Sequence, residues 1–292
     1  FSDPDIIRVG EDYYLAGTTM HSVPGLVVLH SKDLVNWEFS SYCFDRFDDS
    51  NDFNLRNGKE AYGQGIWAPA IRYHNGKFYI FSNINGHGLQ VYISDSAKGP
   101  WTHHKINGDI YDLSVLFDDD GKIYAVHKYG NVTVTELKPD LSGPVEGSSK
   151  VVIPEGNAMG EGHHVYKING MYYILSADYS PMGRMQCARS KSIWGPYETC
   201  VISERESYGY AAGWSVGNMG IGRPLPEDGF KFQNNKPNGL NLGCATIHQG
   251  GIVQAPDGKW WGVSMQDFNA VGRTVCLSPV TWVDGWPYFG LE

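Results

Sequence analysis

The sequence predicts an all-β protein, a five-bladed β-propeller, and three observations lead to this fold class. Its 292 residues are rich in glycine (36) and in aromatic residues (13%), a mixture typical of short strands joined by tight turns. One hairpin pattern occurs five times along the chain, and no long helical periodicity interrupts it. A repeat of about 50 residues with three or four strands is typical of propeller blades.

Each repeat contains an apolar strand, a turn built on glycine with Asp, Asn or Glu, and a second strand that opens on two large residues. The first residues of these pairs are Tyr13, Phe78, Ile123, Tyr172 and Trp260. A third strand follows each hairpin, which a β-sandwich, the alternative fold, would not repeat as a unit. The repeats predict a single domain, 1–292, with blades over approximately 1–60, 61–107, 108–155, 156–245 and 246–292.

Charge and composition exclude several classes of partner. The net charge is −9 and no run of Lys and Arg occurs, so we expect no nucleic-acid partner and no membrane partner. Five cysteines show no C-x-x-C spacing, which argues against a zinc site, although Cys187 and Cys200 could lie on neighbouring strands and pair. The sequon at Asn131 favours an extracellular or periplasmic location, with an intracellular location left open.

Carboxylates lie where the first strand of several blades begins. Counted back from the first large residue of the pair, Glu161 and Asp112 lie 11 residues before it, and Asp3 lies 10 before it. At matching positions, blade 2 carries Trp67 and blade 5 carries His248. Because the first strands of propeller blades surround a central channel, we expect these side chains at one end of it. Clustered carboxylates raise one another's pKa, and such groups mark catalytic sites.

Glycoside hydrolysis requires two carboxyl groups in different protonation states. Glu161 is the longer acid and is flanked by glycines that would admit a substrate, so we predict that it is the general acid, with a raised pKa. Asp3 is the candidate general base that holds a water, and Asp112 would keep the pKa of the acid high and orient it. Asp5 is a rival to Asp3, because it points to the same face of the predicted strand.

The segments around these residues resemble glycoside hydrolase family 43, the five-bladed propeller β-xylosidases and α-L-arabinofuranosidases. The resemblance covers the whole chain and rests on SDPDIIRVGEDYYLAGTTMHSVPG, SKDLVNWE, GIWAPAIRYHNGKFYIF, DLSVLFDDDGKIY, MGEGHHVYKINGMYYIL and VGRTVCLSPVTWVDGWP. It implies an inverting mechanism in which Asp3 is the base, Asp112 the pKa modulator and orienter, and Glu161 the acid.

The resemblance also implies residues of the sugar pocket. Arg273 would contact hydroxyls of the bound sugar, and Trp67 would form part of the pocket floor. Met20 and His21 stand where some xylosidases carry aromatic residues at the first sugar subsite. No organic cofactor is implied, whereas His248 would be the axial histidine that holds a central ion or water, often calcium.

The predicted function is therefore an inverting exo-glycosidase that releases terminal β-xylosyl or α-L-arabinofuranosyl units from xylo-oligosaccharide or arabinoxylan. In an inverting site the carboxyl groups of Asp3 and Glu161 should stand about 6.5–9.5 Å apart. The alternatives are an exo- or endo-arabinan hydrolase of the same fold and a sugar-binding propeller without catalysis. GWSVG around Ser215 matches a serine-hydrolase elbow, but it lacks the strand and helix that such an elbow requires.

Overall fold

The computed structural model describes residues 2–47, 50–157, 159–178, 184–203, 249–267 and 273–289. These residues form strands, turns and loops, and the strands belong to five four-stranded sheets. The part of the chain that the structure describes contains no helix that could cross a membrane. The predicted fold class, an all-β five-bladed β-propeller, is confirmed.

Each sheet consists of four strands that are consecutive in the chain. Sheet 1 contains β1 (Ser2–Val9), β2 (Asp12–Thr18), β3 (Gly25–Ser31) and β4 (Trp37–Phe44). Sheet 2 contains β5 (Ala70–His74), β6 (Lys77–Ile84), β7 (Gly88–Ser94) and β8 (Thr102–Ile106). Sheet 3 contains β9 (Ser114–Phe117), β10 (Ile123–His127), β11 (Val132–Leu137) and β12 (Lys150–Ile153). Sheet 4 contains β13 (Glu161–Ile168), β14 (Met171–Asp178), β15 (Arg184–Ser190) and β16 (Glu198–Val201). Sheet 5 contains β17 (Ile252–Gln254), β18 (Trp260–Asp267), β19 (Arg273–Val283) and β20 (Trp286–Phe289).

Two-residue turns join the first two strands of sheets 2 and 4, as their Asn-Gly pairs predict. Asn169 and Gly170 both have positive φ (51° and 77°), which a type I′ turn requires, and Ile168 pairs directly with Met171. The hairpin between β13 and β14 is therefore confirmed in type and position.

The chain divides into two compact units, residues 1–128 with 133–150 and residues 129–132 with 151–292. In the first unit, sheet 2 buries both faces, because side chains alternate along β6. Ile80 packs in a cluster with Val28 of sheet 1, and Phe81 packs in a cluster with Val115 of sheet 3. The assignment of residues 1–292 to a single domain stays a prediction.

In the second unit, sheets 4 and 5 share a hydrophobic core that includes Leu175, Ile252 and Phe289. The two cysteines that the sequence placed on neighbouring strands are register partners, because Cys187 of β15 lies opposite Cys200 of β16. Both thiols are free, so the position of the pair was predicted correctly and the disulfide does not form.

Candidate active site

Asp3 and Asp112 occupy the same position in their blades. Asp5 and Ser114 pair with equivalent residues of the second strand, and the two aspartates each lie two residues before them. Their backbones also match, with φ of 49° for Asp3 and 51° for Asp112. Aspartate is among the few residues that tolerate this left-handed conformation. The two buried aspartates therefore share their register position and their backbone φ.

Glu161 lies one residue earlier in its blade than Asp3 and Asp112 do in theirs. This corrects the prediction from residue counting, which made Glu161 equivalent to Asp112. Gly162 is the residue that matches Asp3, and it too has a positive φ, 65°. Residue counting gave the wrong match because the chain between the paired residues Phe117 and Ile123 of sheet 3 is one residue longer than the corresponding stretches of sheets 1 and 4. Glu161 therefore shares its register position with Ser2, and its side chain is half-buried.

Asp3 is buried and lies within an irregularity of β1 between Ser2 and Asp5. The hydroxyl of Ser2 donates to Asp3 Oδ2 at 2.5 Å. One extra residue stands between Ser2 and Asp5 in the pairing with β2, so a β-bulge interrupts the alternation of side chains. Residues two apart in a regular strand point to the same face, and this is why Asp5 was an alternative to Asp3 as the base. The bulge removes this relationship between Asp3 and Asp5.

Asp5 is fully buried in a polar network within the first unit. Its Oδ2 accepts hydrogen bonds from the backbone N–H of Ile71 at 2.9 Å and from Arg72 Nη1 at 2.5 Å. The guanidinium of Arg72 also donates to the carbonyl of Val115 and to the hydroxyl of Ser114. A carboxylate held in this way joins sheets 1, 2 and 3 and is not available as a base. The hydrogen bonds of Asp5 therefore assign it a structural role, and Asp3 stays the predicted base.

The loop that carries Asp112 is held by the side chain of Asn83, near the end of β6. Asn83 Oδ1 accepts the N–H of Asp112 at 3.0 Å, and Asn83 Nδ2 donates to the carbonyl of Ile110 at 2.8 Å. The N–H of Lys128 donates to the carbonyl of Tyr111 at 2.9 Å. Three consecutive residues of this loop therefore have their backbone positions fixed.

Trp67 is half-buried and is held at its backbone and its indole. Its N–H donates to the carbonyl of Asn83 at 3.0 Å, and its carbonyl accepts from the hydroxyl of Ser82 at 2.5 Å. The indole Nε1–H donates to Asn85 Oδ1, which also accepts the N–H of Gly65 at 2.8 Å. The ring is thus oriented by direct contacts, which a stacking surface for a sugar requires.

Met20 and His21 lie beside the segment that leads to Trp67. Met20 and Ile66 exchange two backbone hydrogen bonds, of 3.1 and 2.8 Å. A side chain at Gly65 would stand 2.3 Å from the carbonyl oxygen of Met20, so only glycine allows this approach. The exposed ring of His21 contacts that of Tyr62, with centroids 4.9 Å apart. The structure brings Met20, His21 and Trp67 together in the first unit.

In the second unit, the residues after Glu161 have structural partners. A Cβ atom at Gly162 would stand 2.5 Å from Cγ of Gln249, so this glycine is explained by close packing as well as by its φ. His163 is buried, and its Nδ1 lies 2.6 Å from the hydroxyl of Ser176. This contact holds His163, two residues after Glu161 in β13, to the neighbouring strand β14.

The predicted roles of Arg273 and His248 stay predictions. Arg273 is exposed at the beginning of β19, opposite Asp267. His248 lies outside the described residues, as does Ser215. Within the described ranges no group of three or more His, Cys, Asp or Glu side chains could hold a metal ion.

Sequence reasoning missed the residues that support the site, namely Ser82, Asn83, Asn85 and Ser176. A signal existed for the serines, because Ser82, Ser176 and Ser264 all lie four residues after the first large residue of their hairpins. Ser82 and Ser176 each bind a residue at or next to a blade start. The asparagines break the repeat, and no spacing in a single sequence indicates what they bind.

The fold and the acidic starts of its blades define a propeller of the glycoside hydrolase class. The model of glycosyl hydrolases family 43 matches residues 1–209, and the chain belongs to this family. The non-reducing end alpha-L-arabinofuranosidase BoGH43B of Bacteroides ovatus is 34% identical over 306 residues, which cover 99% of this chain and 52% of that protein.

A second relative and a solved structure agree with this assignment. A beta-xylosidase of Formosa agariphila is 29% identical over 100% of this chain and 49% of its own length. The structure of a bifunctional GH43-CE from Bacteroides eggerthii superimposes with a TM-score of 0.81 at 33% identity, covering 100% of this chain and 34% of that one. The chain spans about half the length of the curated relatives it matches.

Proposed function

We propose that this chain is an inverting exo-glycosidase that releases terminal β-xylosyl or α-L-arabinofuranosyl units from xylan- or arabinoxylan-type substrates. The observation that carries the proposal is the pair Asp3 and Asp112, two buried aspartates with the same left-handed backbone at the same position of two blades. Holding a buried carboxylate in a sparsely populated conformation costs about 1–3 kcal/mol and is a feature of functional sites. The names of the family-43 relatives supply the two sugars.

In the proposed reaction Glu161 is the general acid. It donates its proton to the glycosidic oxygen as the bond from that oxygen to the anomeric carbon breaks. Asp3 removes a proton from a water that attacks the anomeric carbon from the opposite face. The configuration of the released sugar is thereby inverted. Asp112 acts by its charge, because a like charge raises the pKa of the acid and keeps it protonated.

Trp67, Met20, His21 and Arg273 are proposed to contact the sugar. The oriented indole of Trp67 offers an apolar face, and Met20 and His21 extend the same part of the first unit. Calcium or water at His248 stays a prediction, and no step of the proposed reaction passes through it. We propose no organic cofactor.

Turnover of aryl β-xyloside and aryl α-L-arabinofuranoside tests the proposal, together with the variants Glu161→Gln and Asp3→Asn. We expect at least one substrate to be cleaved and each variant to lower kcat by about 10²–10⁴-fold, the usual contribution of a general acid or base. Glu198→Gln is the matched control, because Glu198 is an exposed glutamate of the same sheet that pairs with Arg189.

Three results would change the proposal. Cleavage of neither substrate, with Glu161→Ala altering only sugar affinity, would indicate a binding propeller. Faster cleavage of arabinan than of xylobiose or arabinoxylan would indicate an arabinan hydrolase. Ester cleavage that depends on Ser215 would indicate a serine hydrolase.

A further inference from the structure

Asn83 uses both polar ends of its side chain on the loop that carries Asp112. Its Oδ1 accepts the Asp112 N–H at 3.0 Å and its Nδ2 donates to the Ile110 carbonyl at 2.8 Å. An amide has one accepting end and one donating end, so only one orientation satisfies both bonds. The side chain therefore acts as a two-point clamp on residues 110–112.

The loop precedes the first strand of sheet 3, and the clamp adds to the bond that the N–H of Lys128 donates to the carbonyl of Tyr111. β9 begins at Ser114, so the N–H of Asp112 lies outside the sheet ladder. Asp112 also has a φ of 51°, a conformation that costs an ordinary residue about 1–2 kcal/mol. Buried Ile110 and Leu113 anchor the loop on either side, and Asn83 supplies hydrogen bonds to the carbonyl of Ile110 and the N–H of Asp112.

The backbone of Asn83 holds a second residue of the proposed site. Its carbonyl accepts the N–H of Trp67 at 3.0 Å, while Ser82 next to it binds the carbonyl of Trp67. Residue 83 is thus the common support of a proposed sugar-stacking ring and of a proposed catalytic carboxylate. All of these contacts lie within the first unit.

An amide at this position is not part of the repeated scaffold. The equivalent residues, five after the first large residue of each hairpin, are Thr18, Lys128, Ala177 and Met265. The other four blades therefore form their sheets without an asparagine here. We infer that Asn83 is a positioning residue that orients Asp112 for the reaction, an inference that rests on the proposed function.

Asn83→Leu tests the inference, because leucine has a similar volume and forms no hydrogen bond. We expect kcat to fall about 10–100-fold, as for other supporting partners of an active site, with KM changed less than about threefold because the sugar loses no contact. Asn107→Leu is the matched control, since Asn107 Nδ2 also donates to a loop carbonyl of the first unit, that of Ser142 at 3.2 Å. Asn83→Ala serves as the second variant if leucine prevents folding.

Two further measurements separate positioning from general stability. In an Asp112→Asn background, adding Asn83→Leu should lower kcat little further, because the effects of two residues that act through one another do not add. The alkaline limb of kcat/KM should also move to lower pH in Asn83→Leu, toward the profile of Asp112→Asn, since the charge that raises the pKa of the acid is displaced. Fully multiplicative losses with an unchanged pH profile would overturn the inference.

A crystal structure of Asn83→Leu decides the matter independently of activity. If the backbone of Asp112 leaves the left-handed region, the inference is supported. If Asp112 keeps its wild-type conformation, the inference fails even where the enzyme is active. Absence of glycosidase activity in the wild type would instead overturn the proposed function, so the two failures are distinguishable.

Discussion

The guanidinium of Arg72 and the carboxylate of Asp5 form an ion pair of 2.5 Å between Nη1 and Oδ2, in which Asp5 is fully buried. A buried charge is stable only while it is paired and hydrogen-bonded. Arg72 also contacts Ser114 and Val115 of the next blade. This pair therefore links the start of the chain to the two sheets that carry Trp67 and Asp112.

Arg72→Met should destabilise the protein by about 3–5 kcal/mol, because it leaves the Asp5 carboxylate buried without its charged partner. Urea denaturation followed by tryptophan fluorescence measures the change. Arg8→Met is the control, since Arg8 is exposed and donates a hydrogen bond to the carbonyl of Gly10, and we expect a change within about 0.5 kcal/mol. Equal stability of both variants would contradict the role of the pair.

The two aspartates of β1 should separate activity from stability. Asp3→Asn should lower kcat by about 10²–10⁴-fold, while the unfolding midpoint stays near that of the wild type because asparagine keeps the size of the side chain and an oxygen that can accept from Ser2. Asp5→Asn should lower the midpoint, because it removes the charge that Arg72 binds. If Asp5→Asn alone abolished turnover in a folded protein, the assignment of the base would be wrong.

The released sugar should have inverted configuration. Proton NMR of an aryl β-xyloside digest, recorded before mutarotation, should show α-xylose first. A sugar-bound crystal structure should then show the carboxyl groups of Asp3 and Glu161 about 6.5–9.5 Å apart, which leaves room for the attacking water. β-Xylose as the first product would instead indicate a retaining mechanism.

Gly65→Ala should impair substrate turnover, because its Cβ would meet the carbonyl oxygen of Met20 at 2.3 Å. The Met20–Ile66 bonds would have to move, and small displacements near a site can lower kcat/KM by up to about 100-fold. Gly63→Ala is a close control, with a positive φ of 73° and open space around it. It should cost about 1 kcal/mol of stability and leave KM unchanged.

The free thiols should differ in reactivity according to burial. Burial raises the pKa of the Cys43 and Cys187 thiols, so little reactive thiolate forms at pH 8. Mass spectrometry after alkylation of the folded protein should find Cys200, which is half-buried, modified before Cys187. Equal rates for Cys187 and Cys200 would contradict the packing of sheet 4.

The repeated elements of the fold could be predicted because the same hairpin pattern recurs along the sequence. Large residues at Tyr13, Phe78 and Tyr172 mark second strands, and Asn169-Gly170 marks a turn whose φ values follow from its residues. The candidate carboxylates followed from the alignment of blades, whereas the family followed from the resemblance of six segments.

The exact register of the first strands could not be predicted, because an extra residue in a turn or in a bulge has no signature in a single sequence. The longer turn after β9 moved Asp112 by one position relative to Asp3 and Glu161. The bulge in β1 broke the alternation that made Asp5 comparable with Asp3. Asn83 binds atoms 27 and 29 positions away in the chain, and no local pattern encodes such a contact.

Four of the five sheets have a left-handed residue at or just before the beginning of their first strand, namely Asp3, Asp112, Gly162 and Gln249. Gln249 has a φ of 48°, close to those of Asp3 and Asp112, and it precedes β17. The backbone there already has the shape in which two aspartates are held elsewhere in the chain. The same backbone shape therefore holds an acid in sheets 1 and 3, an amide in sheet 5 and, where Gln249 packs against it, a glycine in sheet 4.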